Sequence, residues 1–319
     1  MLSHWRFGPV LGLVTCLAGA VAAQDLKLVR IGTLDVRSDF VQAGSGIYVS
    51  GHRSDTGNEL WRIGQRPDRL ELVRDIFGTK PNGAQGHANP RGLTAFQGRL
   101  YFFASRSEIP NLPGLPRDRV SNGLWVTDGS EGGTRLLMAF EPVREDKRSA
   151  PPLVEAGGAL FFTAEDEEHG LELWRTSGTR ETTVLVRDLW RGVEGSTSVM
   201  GAVEEQVLFA GSDGRVGGEL WQSDGTSRGT VLVRDINGVP APSTIDLVGE
   251  TLSVIDGEAY FAANDSRHGT ELWRTTEGRQ DAQMVLDLTE GPGSSRFEDM
   301  RVAGESLFVA QVVSNSGAL

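Results

Sequence analysis

A short motif that recurs five times constrains the fold of this chain more than any other feature. Each copy centres on a tryptophan that usually follows Glu-Leu; the five are Trp61, Trp125, Trp174, Trp221 and Trp273. They lie 64, 49, 47 and 52 residues apart. Self-similarity at a period of roughly 20 to 50 residues is the signature of repeat architectures such as solenoids and propellers.

Each repeat contains four short runs that are typical of β-strands. An apolar run and an aromatic-rich run precede the tryptophan, as at 93–96 and 100–103, and a Leu-Val-Arg-Asp run follows it at 72–75, 185–188 and 232–235. Turn residues (Gly, Asp, Ser and Thr) separate the runs, and no amphipathic helical pattern comes between them. Four antiparallel strands in about fifty residues predict one blade of a β-propeller.

The fold class we predict is therefore all-β, a propeller of four-stranded antiparallel blades within a single domain, 24–319. Residues 26–31 resemble a fourth strand without its first three, and 300–310 resemble a first and second strand without their fourth. If the two ends pair, the ring has six blades and no exposed sheet edge. The units then run approximately over 33–78, 92–140, 152–190, 199–237, 246–289, and 298–319 completed by 26–32. A truncated longer array is the alternative, since the last third strand is nearly missing.

The motif residues also carry a family resemblance. Glu172–Thr179 and Glu219–Thr226, with the run 229–236 that follows the second, resemble the bacterial ELWxxDGT repeat family. The first and fifth repeats depart from the pattern after Trp61 and at Glu277-Gly278. The resemblance covers nearly all of 24–319 and implies a secreted or surface-attached, propeller-like protein. It implies no established enzymatic activity.

The first 23 residues predict a secretory signal peptide. One basic residue, Arg6, precedes an apolar stretch that ends in the small residues Val21-Ala22-Ala23. Cleavage there removes Cys16 and leaves a secreted, periplasmic or cell-surface chain without a membrane span. Lipid attachment at Cys16, or retention of the segment as an anchor, is the alternative.

Composition excludes several classes of function. Lys and Arg number 31 against 43 Asp and Glu, a formal net charge of −12, which argues against nucleic-acid binding through phosphates. One cysteine excludes a disulfide scaffold and a cysteine-based zinc site. No Ser-His-Asp arrangement, Walker loop or zincin motif is present, and a metal site based on histidine is not expected.

The five tryptophans and the Asp-Gly-Thr segments have structural interpretations. A large aromatic at one position per blade fills the gap between neighbouring sheets, although sugar stacking is the alternative. Asp-Gly-Thr segments supply the turn between third and fourth strands. Trp190 lies outside the repeat position and is a candidate ligand platform.

Paired acids recur around the motif. Asp166, Asp213 and Asp265 each precede a repeat tryptophan by eight residues, and Glu172, Glu219 and Glu271 precede it by two. The Asp is expected to cap a loop and the Glu to pair with an arginine such as Arg187 or Arg234. The alternative is that these six acids ligate a structural Ca²⁺, the only cofactor considered. The acids that end the fourth strands, such as Asp188, are expected at the same rim.

Two long irregular segments, 77–91 and 106–122, are the remaining candidates for binding. With Trp190 they supply the candidate ligand residues: Lys80, Asn82, His87, Arg106, Arg117 and Trp190.

These features predict a monomeric, secreted, non-enzymatic propeller that binds a protein or glycan at the cell envelope. No candidate catalytic residue is assigned. An extracellular hydrolase or lyase acting on polysaccharide, or a purely structural repeat fragment, are the alternatives.

Overall fold

The computed structural model describes residues 32–63, 69–78, 85–107, 120–140, 152–192, 197–238, 252–275 and 281–312. The described residues form β-strands and contain no helix, which confirms the all-β prediction. They belong to two compact units, Met1–Ala150 and Pro151–Leu319. The predicted signal peptide, the strand-like run 26–31 and the tail 314–319 lie outside the described residues.

The first unit contains two antiparallel sheets. One is built from β1 (Asp35–Val36), β2 (Val41–Ala43), β3 (Gly46–Arg53), β4 (Gly57–Ile63) and β5 (Leu70–Arg74). The other comprises β6 (Arg91–Phe96), β7 (Arg99–Ser107), β8 (Val120–Thr127) and β9 (Arg135–Phe140) in sequential order. The first sheet has five strands rather than the expected four, because both short strands β1 and β2 pair with β3.

The second unit contains three four-stranded antiparallel sheets and a hairpin. The first sheet comprises β10 (Val154–Ala156), β11 (Ala159–Asp166), β12 (Gly170–Thr176) and β13 (Val184–Arg187). The second comprises β14 (Thr197–Val203), β15 (Gln206–Gly211), β16 (Glu219–Ser223) and β17 (Val231–Arg234). The third comprises β18 (Ser253–Ile255), β19 (Glu258–Asn264), β20 (Thr270–Thr275) and β21 (Ala282–Leu286); the hairpin is β22 (Arg296–Ala303) and β23 (Ser306–Val312). Each sheet follows sequential strand order, as short turns between antiparallel neighbours dictate.

The repeat tryptophans are core residues. All five are at most 7% exposed, which confirms the packing interpretation over sugar stacking. Trp221 packs in one cluster with Leu173 and Val186 of the preceding sheet, and Trp273 packs with Leu220 and Val233 in the same way. The Leu-Trp pair of the motif therefore forms contacts between neighbouring sheets, because the tryptophan of one repeat packs against the leucine of the repeat before it.

The Asp-Gly-Thr segments form the predicted turns. Asp224 Oδ1 accepts the backbone N–H of Thr226 at 2.8 Å, and Gly225 has a φ of 86°, in the left-handed region that favours glycine. A Cβ on Gly225 would lie 3.0 Å from the ring of Phe161 and 3.1 Å from the side chain of Arg175. The glycine is thus needed twice, for the turn and for the close approach of the preceding sheet.

Strand β21 is exposed where equivalent strands are buried. Val285 is 43% exposed, whereas Val186 and Val233 at the same repeat position are 6% and 7% exposed. Among the described residues, only the two-stranded hairpin follows this sheet, and a hairpin covers less of its neighbour than four strands do.

Candidate functional site

Acidic side chains meet at one end of the sheets, the end where the second strand turns into the third and where the fourth strand finishes. We call this end the acidic edge of a sheet. Leu173 pairs with Arg187 across β12 and β13, so the next residues, Glu172 and Asp188, lie opposite each other at this edge. The same register places three further pairs there: Glu59 and Asp75, Glu219 and Asp235, and Glu271 and Asp287. The prediction that strand-ending acids share a rim with the loops is confirmed within each of these sheets.

The loop aspartates act as turn caps. Asp166 Oδ1 accepts the backbone N–H groups of Glu168 and His169 at 3.0 and 2.6 Å. Asp213 and Asp265 each accept two backbone N–H groups in the same way. The capping interpretation of these three residues is confirmed.

Two of these loops also hold a histidine ring against the capping carboxylate. His169 Nδ1 lies 2.9 Å from Asp166 Oδ2, and His268 Nδ1 lies 2.7 Å from Asp265 Oδ2. The hydrogen bond to the carboxylate raises the pKa of each histidine above its ordinary value. Each ring is therefore oriented by its aspartate, with Nδ1 occupied.

The repeated glutamates are fully buried and bind backbone rather than arginine. Glu59 accepts the N–H of Ile76 on Oε2 and the N–H of Ala88 on Oε1, both at 3.1 Å. Glu219 Oε2 accepts the N–H of Ile236 at 2.7 Å. Each glutamate therefore fastens the end of its own fourth strand to the third strand.

Burial raises the pKa of two of these glutamates, Glu59 and Glu172, despite their N–H donors. The pKa of Glu59 rises to about 8, mainly because the carboxyl is removed from water, and that of Glu172 rises to about 7 for the same reason. The charge of the opposing aspartate, Asp75 or Asp188, adds to the rise.

The prediction that the glutamates pair with Arg187 or Arg234 is wrong. Arg187 Nη1 donates to the carbonyl oxygen of Thr230 in the next repeat at 2.7 Å, and Arg234 pairs with Asp281, also in the next repeat, at 2.8 Å. These arginines extend from the fourth strand towards the following sheet, whereas the glutamate carboxyl groups accept hydrogen bonds from backbone N–H groups.

Two of the acidic pairs contain an aspartate oxygen that is buried without a hydrogen-bond partner among the described residues, Asp188 Oδ1 and Asp287 Oδ1. Glu172 Oε1 accepts the N–H of Trp190 at 3.2 Å, and the backbone N–H of Leu189 also lowers the pKa of this carboxyl. In the first and fourth repeats the equivalent aspartates, Asp75 and Asp235, accept the N–H of a glycine three residues later.

The structure does not gather the six proposed calcium ligands into one group. Asp166 ends β11, Asp213 and Asp265 lie in the loops after β15 and β19, and each glutamate lies on the third strand of its own sheet. Across the described parts of the chain, no three His, Cys, Asp or Glu side chains are placed to hold a metal ion together. Calcium binding by these residues stays a prediction.

The candidate ligand patch is described only in part. Lys80, Asn82 and Arg117 lie outside the described residues, and Arg106 lies in β7. His87 Nδ1 accepts the backbone N–H of Asn58 at 3.0 Å, and its ring lies 5.6 Å from that of His52. No local sequence pattern predicts this histidine pair, because 35 residues separate its members.

Trp190 lies against the following sheet instead of standing free. A Cβ on Gly214 would be 3.0 Å from its indole ring, so the ring covers the loop between β15 and β16. Its backbone N–H binds Glu172 as described above, which places Trp190 at the acidic edge.

No protein-family model and no curated protein sequence matches the chain. Among solved structures, a prolyl endopeptidase matches 87% of this chain with a TM-score of 0.52 and 10% identity, over 40% of its own length. A puromycin-hydrolyzing peptidase of Mycobacterium tuberculosis matches 93% with a TM-score of 0.49 and 12% identity, over 48% of its length. An acylaminoacyl peptidase of Pyrococcus horikoshii matches 90% with a TM-score of 0.43 and 12% identity, over 42% of its length. The chain thus spans less than half of each matched protein.

The likeness to the prolyl endopeptidase corrects the functional interpretation drawn from the sequence. A non-enzymatic binding or interaction module was expected, but the architecture is shared with a prolyl endopeptidase, which is an enzyme. A search of the described residues for a helix long and apolar enough to cross a membrane finds none.

Proposed function

We propose that this chain serves in peptide hydrolysis, as the β-propeller portion of a peptidase-type enzyme. The observation that carries the proposal is the match of 87% of the chain to a prolyl endopeptidase at a TM-score of 0.52. The matched part is 40% of that protein, so the proposal concerns a portion of such an enzyme rather than a complete one.

The finer architecture belongs to the same proposal. The sheets are the blades of a propeller, six in number, and the run 26–32 completes the last of them. Four-stranded antiparallel sheets in sequential order support this, as does the packing of Trp221 and Trp273 on the sheet before. A signal peptide over 1–23 and membership of the ELWxxDGT repeat family stay part of the proposal, on the sequence patterns alone.

The acidic edge supports a role beside a reacting peptide. Its loops are fixed by aspartate caps on a rigid sheet, and two of them present a histidine that a carboxylate orients. Loops held on a rigid scaffold are where enzymes commonly place the groups that contact substrate.

The experiment is a hydrolysis assay with two preparations. The full chain is purified alone, and a tagged copy is isolated from its native cells with whatever polypeptides accompany it. Both are incubated with a library of proline-containing and N-acylated fluorogenic peptides. We expect the tagged native preparation to release fluorophore, and a preparation of the unfolding variant Trp221→Asp to release none. Absence of hydrolysis in both wild-type preparations, with the chain shown to be folded by circular dichroism, would overturn the proposal.

A further inference from the structure

The start of β4 is fastened to the segment that leads into β6, residues 85–90, through a histidine ring. Asn58 donates its backbone N–H to His87 Nδ1 at 3.0 Å, and its carbonyl oxygen accepts the N–H of Asn89 at 3.1 Å. The side chains of Asn58 and Asn89 are also joined, with 2.9 Å between Nδ2 and Oδ1. The 85–90 segment is therefore held to β4 by contacts that converge on Asn58.

The same segment joins the two sheets of the first unit. Ala88 donates its N–H to Glu59 Oε1 at 3.1 Å, and its carbonyl oxygen accepts the N–H of Ser105 in β7 at 2.7 Å. One residue thus bonds to β4 of the first sheet and to β7 of the second. A change in how the segment is held at Asn58 therefore acts on the connection between these sheets.

The bond to Asn58 fixes the protonation state of His87. A backbone N–H can only donate, so Nδ1 must present its lone pair, and the neutral ring carries its proton on Nε2. A second proton would make Nδ1 a donor that faces the donor of Asn58, and the hydrogen bond would be lost. The ring of His52 lies 5.6 Å from that of His87, so a charge on both rings would add repulsion.

The charged groups on the elements around the segment compensate an imidazolium only weakly. Three are aspartates that are each bound to another group: Asp35 to Arg37, Asp55 to Arg53, and Asp75 to the N–H of Gly78. Glu59 has a pKa of about 8, so it is uncharged in the range where an imidazole takes up a proton. Arg91 carries the same charge as an imidazolium and donates to Asn122 Oδ1 at 2.8 Å.

The fifth repeat makes the same contact with a group that does not titrate. Thr270, like Asn58, lies three residues before the repeat tryptophan, and it donates its N–H to Ser294 Oγ at 3.1 Å. In both repeats the preceding glycine lies against a carbonyl oxygen, that of Gly86 for Gly57 and that of Gly293 for Gly269. A hydroxyl therefore serves in this backbone arrangement, and what the histidine adds is sensitivity to pH.

We propose that His87 is a proton-operated switch for the 85–90 segment: the neutral ring holds the segment on β4, and uptake of a proton at Nδ1 breaks the bond to Asn58. The segment is held at neutral pH and is released as the pH falls through the range where imidazoles titrate, about pH 8 to 5. This switch goes beyond the proposed function and does not rest on it.

The test is amide hydrogen exchange of the full chain followed by NMR at about pH 7.5 and about pH 5, on either side of the imidazole range, with rates corrected for intrinsic exchange. We expect the protection of the Asn58 amide to fall about tenfold, as the loss of one hydrogen bond predicts. The Thr270 amide should keep its protection, because its acceptor is a hydroxyl. His87→Ser, which copies Ser294, should make the protection of Asn58 equal at the two pH values.

Two further measurements separate the switch from other causes. Glu59→Gln should retain the fall at Asn58, since Glu59 does not bind that amide. The imidazole nitrogen shifts of the wild-type chain need no substitution, and they should place the proton of neutral His87 on Nε2.

The proposal is wrong if the Asn58 amide is equally protected at both pH values, or if Thr270 loses as much protection as Asn58. A fall that persists in His87→Ser or disappears in Glu59→Gln would assign the effect to another group, and a proton on Nδ1 of neutral His87 would exclude the bond itself. None of these measurements involves peptide hydrolysis, so failure of the switch and failure of the proposed function are distinguishable.

Discussion

Arg187 Nη1 donates a hydrogen bond of 2.7 Å to the carbonyl oxygen of Thr230, at the turn that precedes β17 in the following sheet. Arg74 and Thr134 repeat this contact in the first unit, at 2.6 Å. The fourth strand of one repeat is therefore fastened to the turn of the next by a charged donor and a backbone acceptor. The guanidinium of Arg187 also lies 5.9 Å from the ring centroid of Trp221.

Arg187→Ala should lower the free energy of unfolding by about 1–3 kcal/mol, because a partly buried hydrogen bond from a charged group is lost. Urea unfolding followed by tryptophan fluorescence measures this change. Arg234→Ala is the matched control: its partner Asp281 is 49% exposed, and such surface pairs contribute about 0–1 kcal/mol. An equal effect of the two substitutions would show that the Thr230 contact has no special role.

Gly225→Ala should destabilise the second unit by about 1–3 kcal/mol. The added Cβ needs a left-handed backbone and also meets Phe161 and Arg175 of the preceding sheet. Gly238→Ala separates the two causes, since Gly238 has a φ of 62° but nothing within 4 Å of its Cβ position. We expect the melting temperature to fall further for Gly225→Ala; an equal fall would assign the whole effect to backbone strain.

Glu59 should make stability depend on pH. Its pKa is about 8 in the folded chain against 4.5 for an ordinary glutamate, so the folded state binds its proton more tightly than the unfolded state does. The stabilisation that the protonated Glu59 gives the folded state is therefore complete below about pH 4.5 and disappears as the pH rises through about 8. Between these values the unfolding free energy changes by at most about 1.4 kcal/mol per pH unit.

Unfolding free energies measured at pH 5, 6, 7 and 8 test this dependence. Glu59→Gln keeps the shape of the side chain and removes its titration. The slope of unfolding free energy against pH should therefore become shallower by up to about 1.4 kcal/mol per pH unit, which corresponds to one proton. Glu155→Gln, at an exposed position of β10, should leave the slope unchanged. A wild-type slope that Glu59→Gln does not alter would contradict the assignment.

His268 should titrate at higher pH than an ordinary histidine, because Asp265 holds its Nδ1 proton. Asp265→Asn should lower the pKa of His268 and leave the pKa of His169, which lies in a different sheet, unchanged. Proton NMR titration of the two imidazole signals measures both values in one sample. No downward movement of the His268 midpoint would show that Asp265 does not set its protonation.

The sequence predicted the elements of this fold well, because they depend on local chemistry. Periodic apolar runs specify the strands, and a buried tryptophan at a fixed position follows from its size, as Trp221 shows. The caps at Asp166 and Asp265 were equally predictable, since an aspartate binds N–H groups two and three residues ahead in its own loop.

The partners of Glu172 and Arg187 could not be predicted in the same way. Glutamates at this position accept hydrogen bonds from backbone N–H groups, and every residue type except proline carries one. The sequence therefore does not indicate which N–H group will donate to the carboxylate. Arg187 binds a carbonyl oxygen, which is equally unmarked. Trp190 was predicted as a free platform because the close approach of Gly214 depends on how successive sheets pack.

The forward-reaching arginine and the turn carbonyl that receives it bear on how such chains evolve. The donors, Arg74 and Arg187, lie in the first and third repeats, and the acceptors, Thr134 and Thr230, lie in the second and fourth. Duplicating the coding segment of two successive repeats would therefore copy a complete contact, whereas duplicating a single repeat would copy only half of one.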